Sequence, residues 1–372
     1  MGECLSICCQ ATMETALEGH TSLVTFALSL FKHAAPYLVL YLGLQKRIGH
    51  NKDTKDPEAK EDPEEKEKEK ENPLSVERSL PPPSVDRPVP SPEVNGKVRG
   101  LFVGINYVGM KAEITGCCKD VFMTMGILES KGYKFTERII LVDNDMFSNR
   151  TAAPTRANIL GHLSLFVQDL KEGDVLFFHY SGHGTQVEAS SDTEEKYDQC
   201  IVPSDYEEKG CITDNELFEI LVKSLPRGVR LTAVFDCSHS GTMLDLPYAF
   251  VCSNPGDGND TCSMRRIREG NDVEGDVLMI SACADGETAM CVDNMQDFNG
   301  GAKHCGGAAS YCFASMLMND REMSFRELLL TARSMLGEHG FTQVPQLAAS
   351  KDINLQQRFS LTGLFPCAKT LP

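Results

Sequence analysis

The chain has 372 residues and a net charge of -17, with 41% hydrophobic and 24% charged residues, which excludes wholesale disorder. Up to Arg99 there are 13 basic against 16 acidic residues, so the remainder, with 23 against 37, carries the acidity. An acidic folded body excludes nucleic acid as a partner, because phosphate binding needs clustered Lys and Arg, and favours cationic ligands: basic peptides or a metal such as Ca²⁺. The 15 cysteines are scattered without zinc spacing and read as reduced, mostly buried small hydrophobes.

The first 50 residues read as a membrane anchor. Met-Gly-Glu-Cys-Leu-Ser fits N-myristoylation at Gly2, and Cys4, Cys8 and Cys9 are placed for palmitoylation, the second signal that stable attachment needs. The expected location is the cytoplasmic face of a membrane. In the apolar region from Leu23 to Leu44, two apolar runs of 11 residues, Thr21 to Phe31 and Ala34 to Leu44, are separated by Lys32 and His33, with Pro36 just inside the second. A helical hairpin or interfacial segment is the preferred reading; packing on the folded body and a true span stay open. Residues 51–72 hold 6 Lys and 10 acids with nothing to bury, and Pro81 to Pro92 extends them as stiff chain. Residues 51–96 are therefore a linker, a reading preferred over SH3-type docking by Pro81 to Pro83.

A folded body is expected over residues 97–372. Apolar runs at Gly100 to Asn106, Arg138 to Asp143, Asp174 to Tyr180, Arg230 to Phe235 and Asp276 to Ser281 predict buried strands. Helices are predicted over Cys117 to Lys131, Thr155 to Leu170, Thr213 to Leu225, Ala308 to Asn319 and Ser324 to Gly337; the third opens on a Thr213–Glu216 capping box. The alternation predicts an α/β fold with a largely parallel central sheet covered by helices on both faces, and a site beyond the C-terminal strand ends. Two such ends carry chemistry: His183 between two glycines, and the cluster Asp236-Cys237-Ser238-His239-Ser240.

HYSGHGTQ followed by VFDCSHSGT resembles the two active-site motifs of the metacaspases, caspase-like members of peptidase family C14. The N-terminal Gly/Cys motif, the linker and SFRELLLTARSML…QVPQL make the chain most similar to the trypanosomatid type. The resemblance covers the body from about Val98 and implies a caspase-like fold. It also implies His183 as base and, where the family has its nucleophilic cysteine, Ser238. A thiol with a pKa near 8.5 attacks as thiolate beside an imidazolium; a serine hydroxyl must lose its proton during attack, with an oriented base and matched oxyanion hole. The expectation is a peptidase fold with little or no peptidase activity. Two alternatives remain: a weak Ca²⁺-dependent endopeptidase using Ser238 with His183, and an acylated scaffold with a vestigial pocket. Cys237 is expected to face away from His183. An α/β-hydrolase is excluded, since Asp236 and Ser240 stand where GxSxG needs glycine.

The resemblance further implies an Arg/Lys-binding pocket at Cys117, Asp120, Ser181 and Asp236, and Ca²⁺ ligands at Asp198, Asp214, Asn215 and Asp245. Asp120 also reads as a first-turn helix acid, and Asn215, where the family has Asp, as a capping-box position. The implied roles are binding of basic peptide or protein segments, regulation of an active metacaspase, or cleavage by one in the linker, where Lys66, Lys68, Lys70, Arg78 and Arg87 are exposed. The chain is expected to be monomeric, and dual acylation in this group points by analogy to the flagellar membrane.

Overall fold

A computed structural model of the protein describes residues 96–131, 133–145, 147–189, 196–252, 262–281, 310, 313, 317, 323–338 and 345–361. The acylation sites Gly2, Cys4, Cys8 and Cys9, the Leu23 to Leu44 segment and the linker up to residue 95 lie outside the described residues. So does the expected Ala308 to Asn319 helix, apart from Ser310, Phe313 and Leu317, which are helical. Among the described residues no helix is long and apolar enough to cross a membrane.

All five predicted strands form: β1 (Val98–Gly104), β2 (Glu137–Val142), β3 (Val175–Ser181), β7 (Arg230–Asp236) and β10 (Asp276–Ser281). They pair in parallel in the order β2-β1-β3-β7-β10. The sheet then continues antiparallel through β11 (Gln346–Ala349), β8 (Tyr248–Cys252) and β9 (Cys262–Arg266) to eight strands. Period-two alternation sends Leu101, Val103, Leu176, Phe178, Tyr180, Leu231, Ala233 and Phe235 into one core and Phe102, Val175, Phe177 and Val234 into the other. Both faces are dry, which is why these strands read as unbroken apolar runs.

Helices α1 (Cys117–Ser130) and α5 (Phe325–Glu338) cover the Phe102 face with Val121, Phe122, Leu128, Phe325 and Leu329. The other face is covered by α2 (Arg156–Phe166) and by α4 (Asp214–Leu217), which runs into one wider π turn over Phe218–Val222. A further short helix, α3 (Tyr206–Lys209), precedes α4. The expected helix to Leu170 stops at Phe166. The left-handed backbone of Asp169 (φ 55°) breaks it, and the buried Arg99 guanidinium collects the carbonyls of Phe166 (3.1 Å) and Gln168 (2.7 Å). The Thr213–Glu216 capping box forms as expected, but the helix it starts is four residues long before the π turn, where the Lys223 N–H reaches the Phe218 carbonyl at 2.9 Å.

A second, three-stranded antiparallel sheet follows the first: β4 (Gly184–Glu188), β5 (Tyr197–Ile201) and β6 (Ile212–Thr213). It begins one residue after His183. The sheet registers set Gly104, Ser181 and Asp236 side by side, so the C-terminal ends of β1, β3 and β7 are level.

Candidate active site

His183 and Ser238 leave adjacent parallel strands at the same level. Gly184 backs directly onto the Ser238 backbone: a Cβ there would lie 2.0 Å from the Ser238 carbonyl oxygen and 3.2 Å from Cys237 Cβ. Only glycine lets the two chain turns meet so closely. Ser238 is half-buried at the turn after β7. His239 next to it has a left-handed backbone (φ 53°), and the Ser240 hydroxyl donates to the Cys237 carbonyl at 2.9 Å. Cys237, expected to face away from His183, is fully buried in the core that contains Phe235 and Met243.

The ring of His183 is fixed from outside the two motifs. Its Nε2–H donates to the Ala112 carbonyl at 2.8 Å, which leaves Nδ1 as the basic nitrogen. Burial holds the imidazole below its ordinary pKa, opposed by the Ala112 carbonyl, so it is neutral at pH 7. Its ring packs on Tyr107 with centroids 4.7 Å apart, and its backbone N–H donates to the Tyr107 hydroxyl at 2.9 Å. Tyr107 in turn donates to the Val202 carbonyl at 2.6 Å, while the Tyr180 hydroxyl donates to the His183 carbonyl at 2.7 Å. Tyr107 is left-handed (φ 55°), and the Asp143 carboxylate at the end of β2 accepts the N–H groups of Asn106 (2.9 Å) and Tyr107 (2.6 Å).

Tyr107, Tyr180, Asp143 and Ala112 are thus positioning residues that the sequence reading did not single out. Tyr107 does follow one predicted strand, and Asp143 ends another. Removing one hydroxyl from this network leaves buried partners unpaired, so Tyr107→Phe should cost about 1–3 kcal/mol of stability in urea unfolding.

The four expected pocket residues come together. The Ser181 hydroxyl donates to Asp120 Oδ2 at 2.9 Å, and the Cys117 thiol is pushed up by burial, with Ser181 bonding to it and Asp120 and Asp236 close enough to act on it. Asp236, fully buried, accepts the Ser310 N–H at 2.9 Å. Asp120 lies in the first turn of α1, which starts behind Gly116 (φ 112°), as a first-turn acid should. It is nonetheless buried (9% exposed), and burial and then the Asp236 carboxylate raise its pKa to about 8. Ser181 and the exposed Lys119 oppose this. A helix-dipole role alone gives no reason to sink an acid beside a second carboxylate.

Of the expected Ca²⁺ ligands, Asp198, Asp214 and Asp245 are buried near one another, while Asn215 is exposed. Burial, then Asp245 and, more weakly, Asp198 raise Asp214 to about 8, opposed by the backbone N–H groups of Gln199 and Asn215. Those donors occupy both Asp214 oxygens at 2.8 Å each. The Arg268 guanidinium pairs with Asp245 Oδ1 at 2.9 Å. Among the described residues no group of three or more His, Cys, Asp or Glu side chains is arranged to hold a metal ion. As built, the expected ligand set does not fit Ca²⁺.

Comparison with known proteins gives the family. Residues 98–247 match the model of the metacaspase, peptidase C14 domain. The chain is 52% identical to an inactive metacaspase-4 of Trypanosoma brucei brucei over all of both chains. It is 45% identical to a metacaspase-3 of the same organism, over 97% of this chain and 96% of that one. The solved structure of protein GSU0716 from Geobacter sulfurreducens aligns over 72% of this chain and 100% of that one, with a TM-score of 0.47 and 20% identity. On these matches, the second of them running the full length of both chains, the chain belongs to the metacaspases.

Proposed function

We propose that the protein is a catalytically inactive metacaspase homologue, held on a membrane by its acylated N-terminus, that binds Arg- or Lys-containing segments without cleaving them. The observation that carries this reading is the pairing of an anionic pocket, Asp120 beside Asp236 with Ser181 and Cys117, with a hydroxyl at position 238. The pocket keeps what recognises a cationic side chain, and the nucleophile lacks the easily ionised proton that the chemistry uses. The inactive relative, similar over its whole length, supports the second half. Binding in this reading is independent of Ca²⁺, since Arg268 already meets Asp245.

The partner in this reading is a basic segment of another protein, such as an active metacaspase that in turn cuts the linker after one of its basic residues. The decisive measurement is binding and hydrolysis of one peptide with Arg, and of the same peptide with norleucine, at the residue before the scissile bond. The Arg peptide alone should bind, and no product should form. Turnover that disappears in His183→Ala would overturn the inactive reading; binding of neither peptide would leave an acylated scaffold with a vestigial pocket.

Membrane attachment rests on Gly2 with Cys4, Cys8 and Cys9, because two lipid signals are needed for stable anchoring. Gly2→Ala should therefore move most of the protein from the membrane to the soluble fraction of cell lysates. Retention of that variant on membranes would assign attachment to the Leu23 to Leu44 segment. Within the trypanosomatid group the flagellar membrane is the destination to image first.

A further inference from the structure

Asp245, one member of the acid cluster with Asp198 and Asp214, is tied to a strap that follows β9. The Ile267 N–H donates to the Pro247 carbonyl at 2.8 Å, and the Asn271 side-chain amide donates to the backbone carbonyl of Asp245 at 2.9 Å. Arg266 braces the strap from within, with ion pairs to Glu269 (2.9 Å) and Asp272 (2.7 Å) and a hydrogen bond to the Tyr248 hydroxyl (3.1 Å). The braced loop delivers Arg268, whose side chain is 21% exposed, to the 3% exposed carboxylate of Asp245. Asp245 itself has a left-handed backbone (φ 47°), so its carboxylate is aimed by a turn that few residue types adopt. A buried carboxylate in a cluster of three acids needs a cation, and here the chain supplies one.

We propose that Arg268 is a built-in counter-ion that stands in for Ca²⁺ at this cluster, so that a metal can enter only by displacing Arg268 and lifting the 266–272 strap. The inference rests on the reading that the cluster, as built, does not fit Ca²⁺. A guanidinium brings one positive charge and donors only. A Ca²⁺ ion would bring two charges and would need six to eight oxygens, more than the three acids offer while two Asp214 bonds and the Asp245 pair are kept. The missing carboxylate at Asn215 and the presence of Arg268 act in the same direction. Both exchange metal dependence for a permanently set loop.

The test is calorimetric titration of the full chain and of Arg268→Gln with CaCl₂, with MgCl₂ as the control for non-specific binding. Arg268→Gln should bind Ca²⁺ at least tenfold more tightly than the parent, and hydrogen exchange of the Ile267 and Arg268 amides should speed up in the parent only at Ca²⁺ concentrations that saturate it. Equal affinities, or no binding by Arg268→Gln, would overturn the role of Arg268 while leaving the poor fit to Ca²⁺ standing. Tight Ca²⁺ binding by the parent with the strap still protected would overturn both. Should Arg268→Gln fail to fold, Arg268→Lys decides in its place. Its shorter, unforked ammonium should let Ca²⁺ bind severalfold more tightly, and an unchanged affinity counts against the proposal.

Discussion

Ser238→Cys is expected to raise hydrolysis of peptides cut after Arg or Lys by about a thousandfold or more over the parent. Most of what the reaction needs is already in place. The base is positioned by two tyrosines and the Ala112 carbonyl, its Nε2 is held on Ala112, and Gly184 brings its chain turn against that of residue 238. Because burial keeps His183 neutral at pH 7, it can accept a proton from a thiol during attack. In the parent the group at position 238 is a hydroxyl, whose proton is far harder to remove. In the Ser238→Cys background, His183→Ala should then remove about 10²–10⁴ of the regained rate, the usual weight of a positioned general base. The assay is best run with excess Ca²⁺ and repeated in Ser238→Cys/Arg268→Gln, which separates a silent nucleophile from a closed cation cluster. A Ser238→Cys protein that binds the Arg peptide and still does not cut it would mean that more than the nucleophile has been lost.

The parts of this molecule that could be read from the sequence are those where a local pattern has one physical cause. Five strands buried on both faces appear as apolar runs because nothing polar can stand in them, and each was found within two residues of its expected end. The C-terminal strand ends were the right place to look, since Ser181, His183 and Asp236 emerge there together. The second sheet was not legible: Gly184–Glu188 is short, and its alternation is weak. The edge strands β8, β9 and β11 are four or five residues long and find partners far along the chain, so their pairing has no local signature. The groups that hold His183 were missed for a related reason. Ala112 acts through its carbonyl and Tyr107 through a hydroxyl aimed by a left-handed backbone, and neither is encoded by residue type. Arg268 is the instructive case. As a lone arginine in a charged loop it looks like solvated surface, and only the fold carries it onto Asp245.

Asp120→Asn should weaken binding of the Arg peptide by about a hundredfold or more, because it removes a buried charge that a bound guanidinium would otherwise pair with. The pH dependence of the parent distinguishes this role from a packing role. With the Asp120 pKa raised to about 8, the carboxyl is largely protonated at pH 6, and a cationic ligand must drive the proton off before it can pair. Affinity should therefore rise with pH, by about tenfold per unit below pH 8, and level off above it; Asp120→Asn should make the profile flat over this range. Stability without peptide moves the opposite way. An acid whose pKa lies near 3.8 when unfolded and near 8 when folded binds its proton more tightly in the native state, so it lowers stability progressively as pH climbs from about 4 to about 8. Asp214, raised for the same cause, adds a parallel slope, so Asp120→Asn should remove only part of the decline. Urea unfolding at pH 5 and pH 8 reads the difference: the variant should gain on the parent at pH 8 and match it more nearly at pH 5. A variant that loses stability at pH 8 along with peptide binding would instead make Asp120 a structural acid, and the pocket would lose its principal charge.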